Sequence, residues 1–92
     1  MHRYKIVIQY DGSFFKGWQL QKNQKTVQGE IENALMTIAK SKSRIIVKGS
    51  GRTDAGVHAI GQVAHFDLDN HLTEKQLKNA LNFYTDENCK IM

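Results

Sequence analysis

The chain predicts an α+β domain in which one antiparallel sheet carries two helices on a single face, and three patterns in its 92 residues carry that expectation. Residues 3 to 10 alternate, with Tyr4, Ile6, Ile8 and Tyr10 on one parity and Arg3, Lys5, Val7 and Gln9 on the other, as a half-buried strand requires. From Thr26 onward the apolar residues Val27, Ile31, Ala34, Leu35 and Ile38 recur at three and four residues, which places them on one helical face. Thr73 and Gln76 form a capping-box signature ahead of Leu77, Ala80 and Leu81, the buried face of a second helix.

Each element follows in order. Asp11-Gly12 ends the first strand, and the connection from Asp11 to Lys25 is longer than most structureless loops, which points to function or mobility. Within it Phe14, Phe15 and Trp18 are interleaved with Lys16, Lys22 and Lys25, the mixture of stacking surfaces and cations that contacts to single-stranded RNA use. Phe15 and Trp18 equally suit a role as core that caps the sheet. Thr26 is the expected N-cap of the first helix, with Glu30 and Glu32 favouring its dipole. Arg44 to Ser50 reads as the second strand and Gln62 to Leu68 as the third, where Ala64, Phe66 and Leu68 alternate with Val63, His65 and Asp67. Leu72 and Leu77 are spaced as a hydrophobic staple around the second helix start, and Cys89 to Met92 begins a fourth strand. The order β-α-β-β-α-β is the ferredoxin-like plan, with the fourth strand truncated and its neighbour's edge left open to pairing.

Composition narrows the classes. Ninety-two residues make one domain with 40% hydrophobic content, enough for a core. Thirteen Lys and Arg against nine Asp and Glu give a net charge of +4, which suits a polyanionic partner without proving one. Cys89 is the single cysteine, so there is no intrachain disulfide and no four-cysteine zinc site, and a reducing, cytoplasmic setting fits. The apolar run after Met1 is too short and too interrupted by charge for a signal or membrane segment.

The most informative stretch runs from Gly49 through Ser50-Gly51-Arg52-Thr53-Asp54-Ala55-Gly56-Val57-His58 to Ala59. Glycines on both sides of Asp54 let a bulky ligand approach the main chain closely, and Arg52 supplies a planar cation for phosphate or base edges. An aspartate with the ordinary side-chain pKa of about 3.9 is ionised at neutral pH and ready to act as a nucleophile. An aspartate in a glycine-rich turn also commonly bonds its own backbone, and spacing alone leaves both readings open. His58, His65 and Asp67 meet no recognised metal spacing, so no metal is expected.

The segment Gly51-Arg52-Thr53-Asp54-Ala55-Gly56-Val57-His58-Ala59 resembles the signature loop of the TruA-type tRNA pseudouridine synthases. Two further blocks are similar to the same family: Tyr10-Asp11-Gly12 followed by Gly17-Trp18-Gln19-Leu20-Gln21, and Thr26-Val27-Gln28-Gly29-Glu30 at a helix start. The likeness runs from Tyr4 to Asn82, then departs. Where the family continues with a leucine-proline element, this chain has Phe83-Tyr84-Thr85-Asp86-Glu87-Asn88-Cys89.

The resemblance implies a two-domain enzyme of which residues 1–92 are the N-terminal, aspartate-bearing domain, with the C-terminal domain and its active-site tyrosine absent. It implies isomerisation of uridine to pseudouridine at positions thirty-eight to forty of the tRNA anticodon stem-loop, without a cofactor. Asp54 would be catalytic, and Arg52, Thr53, His58, Gln19 and Gln21 would contact RNA. The family implies a cytoplasmic homodimer with tRNA as partner and no membrane, and a fragment inactive by itself. A different class of answer is a non-catalytic RNA-binding module on a ferredoxin-like scaffold, which would carry aromatics on strand positions facing RNA and has no use for the aspartate. A third is a structural or dimerising fragment without RNA affinity.

Overall fold

A computed structural model describes residues 1–50, 59–69 and 71–92, with residues 59 and 60 described through their backbone. The elements are β1 (His2–Tyr10), a short 3-10 turn (Gly12–Phe14), α1 (Val27–Ala39), β2 (Lys48–Gly49), β3 (Ala59–Leu68), α2 (Glu74–Tyr84) and β4 (Cys89–Ile91). The strands form one antiparallel sheet in the order β2-β3-β1-β4, the ferredoxin-like arrangement.

One parity of each long strand is buried: Ile6, Ile8 and Tyr10 from β1, and Ala64, Phe66 and Leu68 from β3. These join Val27, Ile31, Ala34 and Leu35 of α1 and Leu77 and Leu81 of α2 in a single cluster, so both helices cover the same face. Each fully buried Leu or Ile in that layer contributes about 1.5–3 kcal/mol relative to exposure.

Local signals set both helix starts. Thr26 accepts from Gly29 N at 3.2 Å, and Thr73 and Gln76 close a reciprocal capping box at 3.1 and 3.0 Å. The Tyr4 hydroxyl meets both backbone groups of Leu72, donating to its C=O at 3.2 Å and accepting from its N–H at 2.9 Å, which fixes the approach to α2.

The second strand is shorter than its sequence suggests. Of residues 44–50, only Lys48 and Gly49 form strand, opposite His65 and Ala64, with one further bond to β3 from Ser50. The preceding residues are tied to α1: Val47 N–H donates to the Glu32 carboxylate at 3.1 Å, and Val47 C=O accepts from Gln28 Nε2 at 2.9 Å. Arg44 also binds Glu32, with Nη2 to Oε2 at 3.1 Å. The third strand, in contrast, starts earlier than expected. The register advances from Ile8 opposite Gln62 to Tyr10 opposite Ala59, so β3 holds one extra residue there. That bulge breaks the period-two pattern and conceals the strand's first residues.

The unusual junction after Asn82 still delivers a strand. Thr85 ends α2, with its N–H and its hydroxyl both donating to Leu81 C=O at 2.9 and 2.8 Å. Asp86 then accepts from Asn88 N at 2.9 Å, and Cys89 N donates to Asp86 C=O at 2.9 Å, turning the chain into β4. The Asn82 carboxamide pairs with the backbone of Ile91, donating to its C=O at 3.0 Å and accepting from its N–H at 2.7 Å. Both sheet edges are thus closed at one residue by helix side chains, Val47 just before β2 by Gln28 and Glu32, and Ile91 of β4 by Asn82.

Candidate active site

The Asp11–Lys25 connection packs inward before it reaches the helix. Asp11 Oδ1 accepts from Ser13 N at 3.0 Å and nucleates the first turn. Phe15 and Trp18 are each 3% exposed, so they are core residues and not an RNA-stacking surface, whereas Phe14 is exposed. Gly17 takes a positive φ of 89°, and Asn23, within a turn, one of 60°. Lys16 N donates to Lys25 C=O at 2.7 Å, closing the segment between them into a loop.

This loop is docked on the start of α1. Gly17 C=O accepts from Val27 N at 3.2 Å and Trp18 C=O from Gln28 N at 3.0 Å, while Thr26 takes Gly29 N. Those N–H groups therefore have partners and do not offer an anion site. Gln28, which carries no expected role in the sequence, holds the arrangement together. Its Oε1 accepts from Leu20 N at 2.8 Å, and its Nε2 donates to Glu32 at 3.0 Å and to Val47 C=O at 2.9 Å. One side chain thus joins the connection, α1 and the approach to β2. Its signal in sequence is its position inside the Thr26-Val27-Gln28-Gly29-Glu30 block.

Trp18 then meets β2. A Cβ on Gly49 would lie 2.7 Å from both Cε2 and Nε1 of the indole, so only glycine fits there. One residue on, Ser50 N donates to Val63 C=O at 2.8 Å, the last described ladder bond before residues 51–58. The β2–β3 connection leaves the sheet beside Trp18 and returns at Ala59, opposite Tyr10.

Of the expected site residues, Arg52, Thr53, Asp54 and His58 lie outside the described residues. Gln19 is exposed, with no side-chain partner among the described residues. Gln21 is also exposed, but its Nε2 donates to Lys16 C=O at 3.2 Å, bracing the loop. Lys25 pairs with Asp86 and stands 5.3 Å from the Phe15 ring centroid, which ties the loop to the α2–β4 turn. His65 and Asp67 do share the outer face of β3, but Asp67 is held by Arg3 through two bonds of 2.9 and 3.1 Å. Burial pushes the Cys89 thiol up to about 12, so it stays protonated and chemically quiet.

Comparison with known proteins agrees with these features. The sequence model of one family, described as tRNA pseudouridine synthase, matches residues 6–92. The tRNA pseudouridine synthase A of Limosilactobacillus reuteri is 53% identical over 83 residues, covering 89% of this chain and 32% of that protein. That of Lactobacillus acidophilus is 66% identical over 65 residues, covering 71% of this chain and 24% of the relative. That of Maridesulfovibrio salexigens is 48% identical over 92 residues, covering all of this chain and 33% of the relative. The chain therefore spans about a third of the length of the curated relatives it matches. On the strength of the matched region and the α+β fold, the chain belongs to the tRNA pseudouridine synthase family.

Proposed function

We propose that this chain forms the uridine-isomerising part of a tRNA pseudouridine synthase, with Asp54 as its nucleophile. The observation that carries the reading is the run Gly51-Arg52-Thr53-Asp54-Ala55-Gly56-Val57-His58-Ala59, which lies within the region matched to the family and joins β2 to β3 just beyond the Trp18–Gly49 contact. A target uridine must first be turned out of its stack. The Asp54 carboxylate then attacks ribose C1′ or uracil C6, the bond from C1′ to N1 breaks, the uracil rotates, and C5 bonds to C1′; the bond to Asp54 breaks to return the free carboxylate, the C5 proton is lost and N1 takes up a proton. No cofactor is consumed. Arg52 contacts phosphate or the extruded base, and Thr53, His58, Gln19 and Gln21 complete the RNA contacts.

The substrate is the anticodon stem-loop of tRNA, at positions thirty-eight to forty, and the complete enzyme acts as a cytoplasmic homodimer. Residues 1–92 alone are inactive, because the second half supplies the opposite wall and the active-site tyrosine. Against a non-catalytic binding module stands the bare face of the sheet, where no described strand position carries Phe, Tyr or Trp. The decisive experiment is Asp54→Asn in the complete synthase: pseudouridine formation is lost while tRNA binding persists, since the amide keeps shape and loses nucleophilicity. Appreciable turnover by this variant would remove Asp54 as nucleophile.

A further inference from the structure

The sheet face that the helices leave bare carries a row of cations among the described residues. Its described cations are Arg3, Lys5, Lys48 and Lys90, and its described carboxylate is Asp67. Arg3 answers Asp67 directly, whereas Lys5, Lys48 and Lys90 form no ion pair among the described residues. The register sets Lys48 opposite His65 and His65 opposite Lys5, a single row across β2, β3 and β1. With neighbouring strands about 4.8 Å apart, the backbones of Lys48 and Lys5 are separated by about 10 Å. Beside the row, where residues 44–47 part from β3, opens a groove of about 720 Å3 lined by Arg3, Arg44, Lys48 and His65 together with the carboxylates of Asp67 and Asp69.

We propose that this face binds the phosphate backbone of a helical RNA stem, with Lys5 and Lys48 as positioning residues that each grip one phosphate. The proposal rests on the reading of the chain as an RNA-modifying enzyme and names the part of the RNA held away from the reacting base. Charge complementarity selects a polyanion. The absence of Phe, Tyr and Trp among the described strand positions of this face selects a duplex over a single strand, because unpaired bases are held by stacking while A-form helices are held through phosphates and shape. The apolar component among the described residues is small: the partly covered cross-strand pair Val7 and Val63 with the exposed Met92 beside Val7, flanked along the strands by Lys5 and Lys90 and too little for the core of a protein interface. Lys48 directly precedes Gly49. A stem gripped at Lys48 is therefore held next to the base of the loop that carries Asp54.

The test is equilibrium binding of a synthetic RNA hairpin by the intact protein across a potassium chloride series. Lys5→Gln with Lys48→Gln should weaken binding at low salt and reduce the slope of log K against log salt by about one for each phosphate no longer gripped. Lys5→Arg with Lys48→Arg should keep the slope, and Lys75→Gln on α2 should leave it unchanged, with thermal melts confirming that all variants fold. An unchanged slope in the double Gln variant overturns the proposal. So does an equal loss on an unstructured RNA of the same length, or tighter retention of the parent by phosphatidylserine vesicles than by the hairpin. Failure of the nucleophile reading is separate, because it is read from pseudouridine formation by Asp54→Asn and not from the salt slope.

Discussion

Trp18 occupies the space that a side chain at Gly49 would need, with the indole 2.7 Å from the position of a Cβ there. The contact joins the Asp11–Lys25 connection to the strand that enters the candidate nucleophile loop. It also explains why a buried tryptophan sits in a segment otherwise rich in lysine. Its ring lies against Gly49 of β2, and its C=O accepts from Gln28 N in the first turn of α1.

Gly49→Ala should therefore destabilise the domain by about 1–3 kcal/mol, the usual cost of adding a methyl group to a closed site. The buried indole cannot swing aside, so the backbone of β2 must move, and in the complete enzyme turnover should fall with it. Trp18→Phe in the same chain should recover part of the loss by vacating the fused ring. Urea unfolding of the two single variants and the double variant checks this, and strict additivity would show that the two residues are not coupled.

The carboxylate of Glu32 is 3% exposed and gathers three donors: Gln28 Nε2, Val47 N–H and the Arg44 guanidinium. Glu32→Ala should cost about 3 kcal/mol, because it strands the buried Val47 N–H and removes one partner of the Gln28 carboxamide as well as breaking the ion pair. Arg44→Ala should cost less, about 1–3 kcal/mol, because the guanidinium is half exposed and water can take its place. Equal losses in denaturant titrations would mean that the ion pair, and not the edge of β2, is what Glu32 stabilises.

These contacts mark where the sequence stops being legible. Both N-caps, the parity of β1 and the apolar faces of α1 and α2 follow from residues a few positions apart, and all are readable. The extent of β2 is not, because it depends on Gln28 and Glu32 reaching Val47 across the fold. Glu32 looks like a dipole partner at the helix start, yet it is buried against the sheet edge. The early start of β3 is hidden by its bulge, and the end of α1 by Lys40, which takes the left-handed conformation (φ 53°) usually marked by glycine. At the site, the family-like blocks stand out, but the bracing role of Gln21 and the linking role of Gln28 exist only in three dimensions.

Acid should loosen the junction between the connection and β4. The Lys25 ammonium, followed by the N–H of Asn88, holds the Asp86 carboxyl below its ordinary value of 3.8. A depressed folded pKa adds stability that is present above 3.8 and is lost as pH falls through the lower folded value. Lys25 is raised above 10.5 by the same bond, so its contribution is present below 10.5 and is lost as pH rises through the higher folded value. Asp86→Asn should be less stable than the parent at neutral pH, and the difference should shrink below about pH 4. Thermal melts across an acid series test this, and a constant difference between the two proteins would show that the charge of Asp86 is not what matters.

The edge of β4 gives the last prediction. Asn82 satisfies both backbone groups of Ile91, at 3.0 and 2.7 Å, and so removes a pairing position from the end of the sheet. Asn82→Leu keeps the helix and the side-chain size but leaves that N–H and C=O without partners, at a cost of about 1–3 kcal/mol. An open strand edge recruits other chains, so the variant should also associate more strongly than the parent as concentration rises. Asn82→Asp should fall between the two, since it still accepts from Ile91 N–H but sets a carboxylate against the C=O. Sedimentation velocity over a concentration series separates the effects: a Leu variant that is less stable but no more associated would confine Asn82 to a local bond, whereas stronger association graded Asn, Asp, Leu would show that its carboxamide closes the sheet.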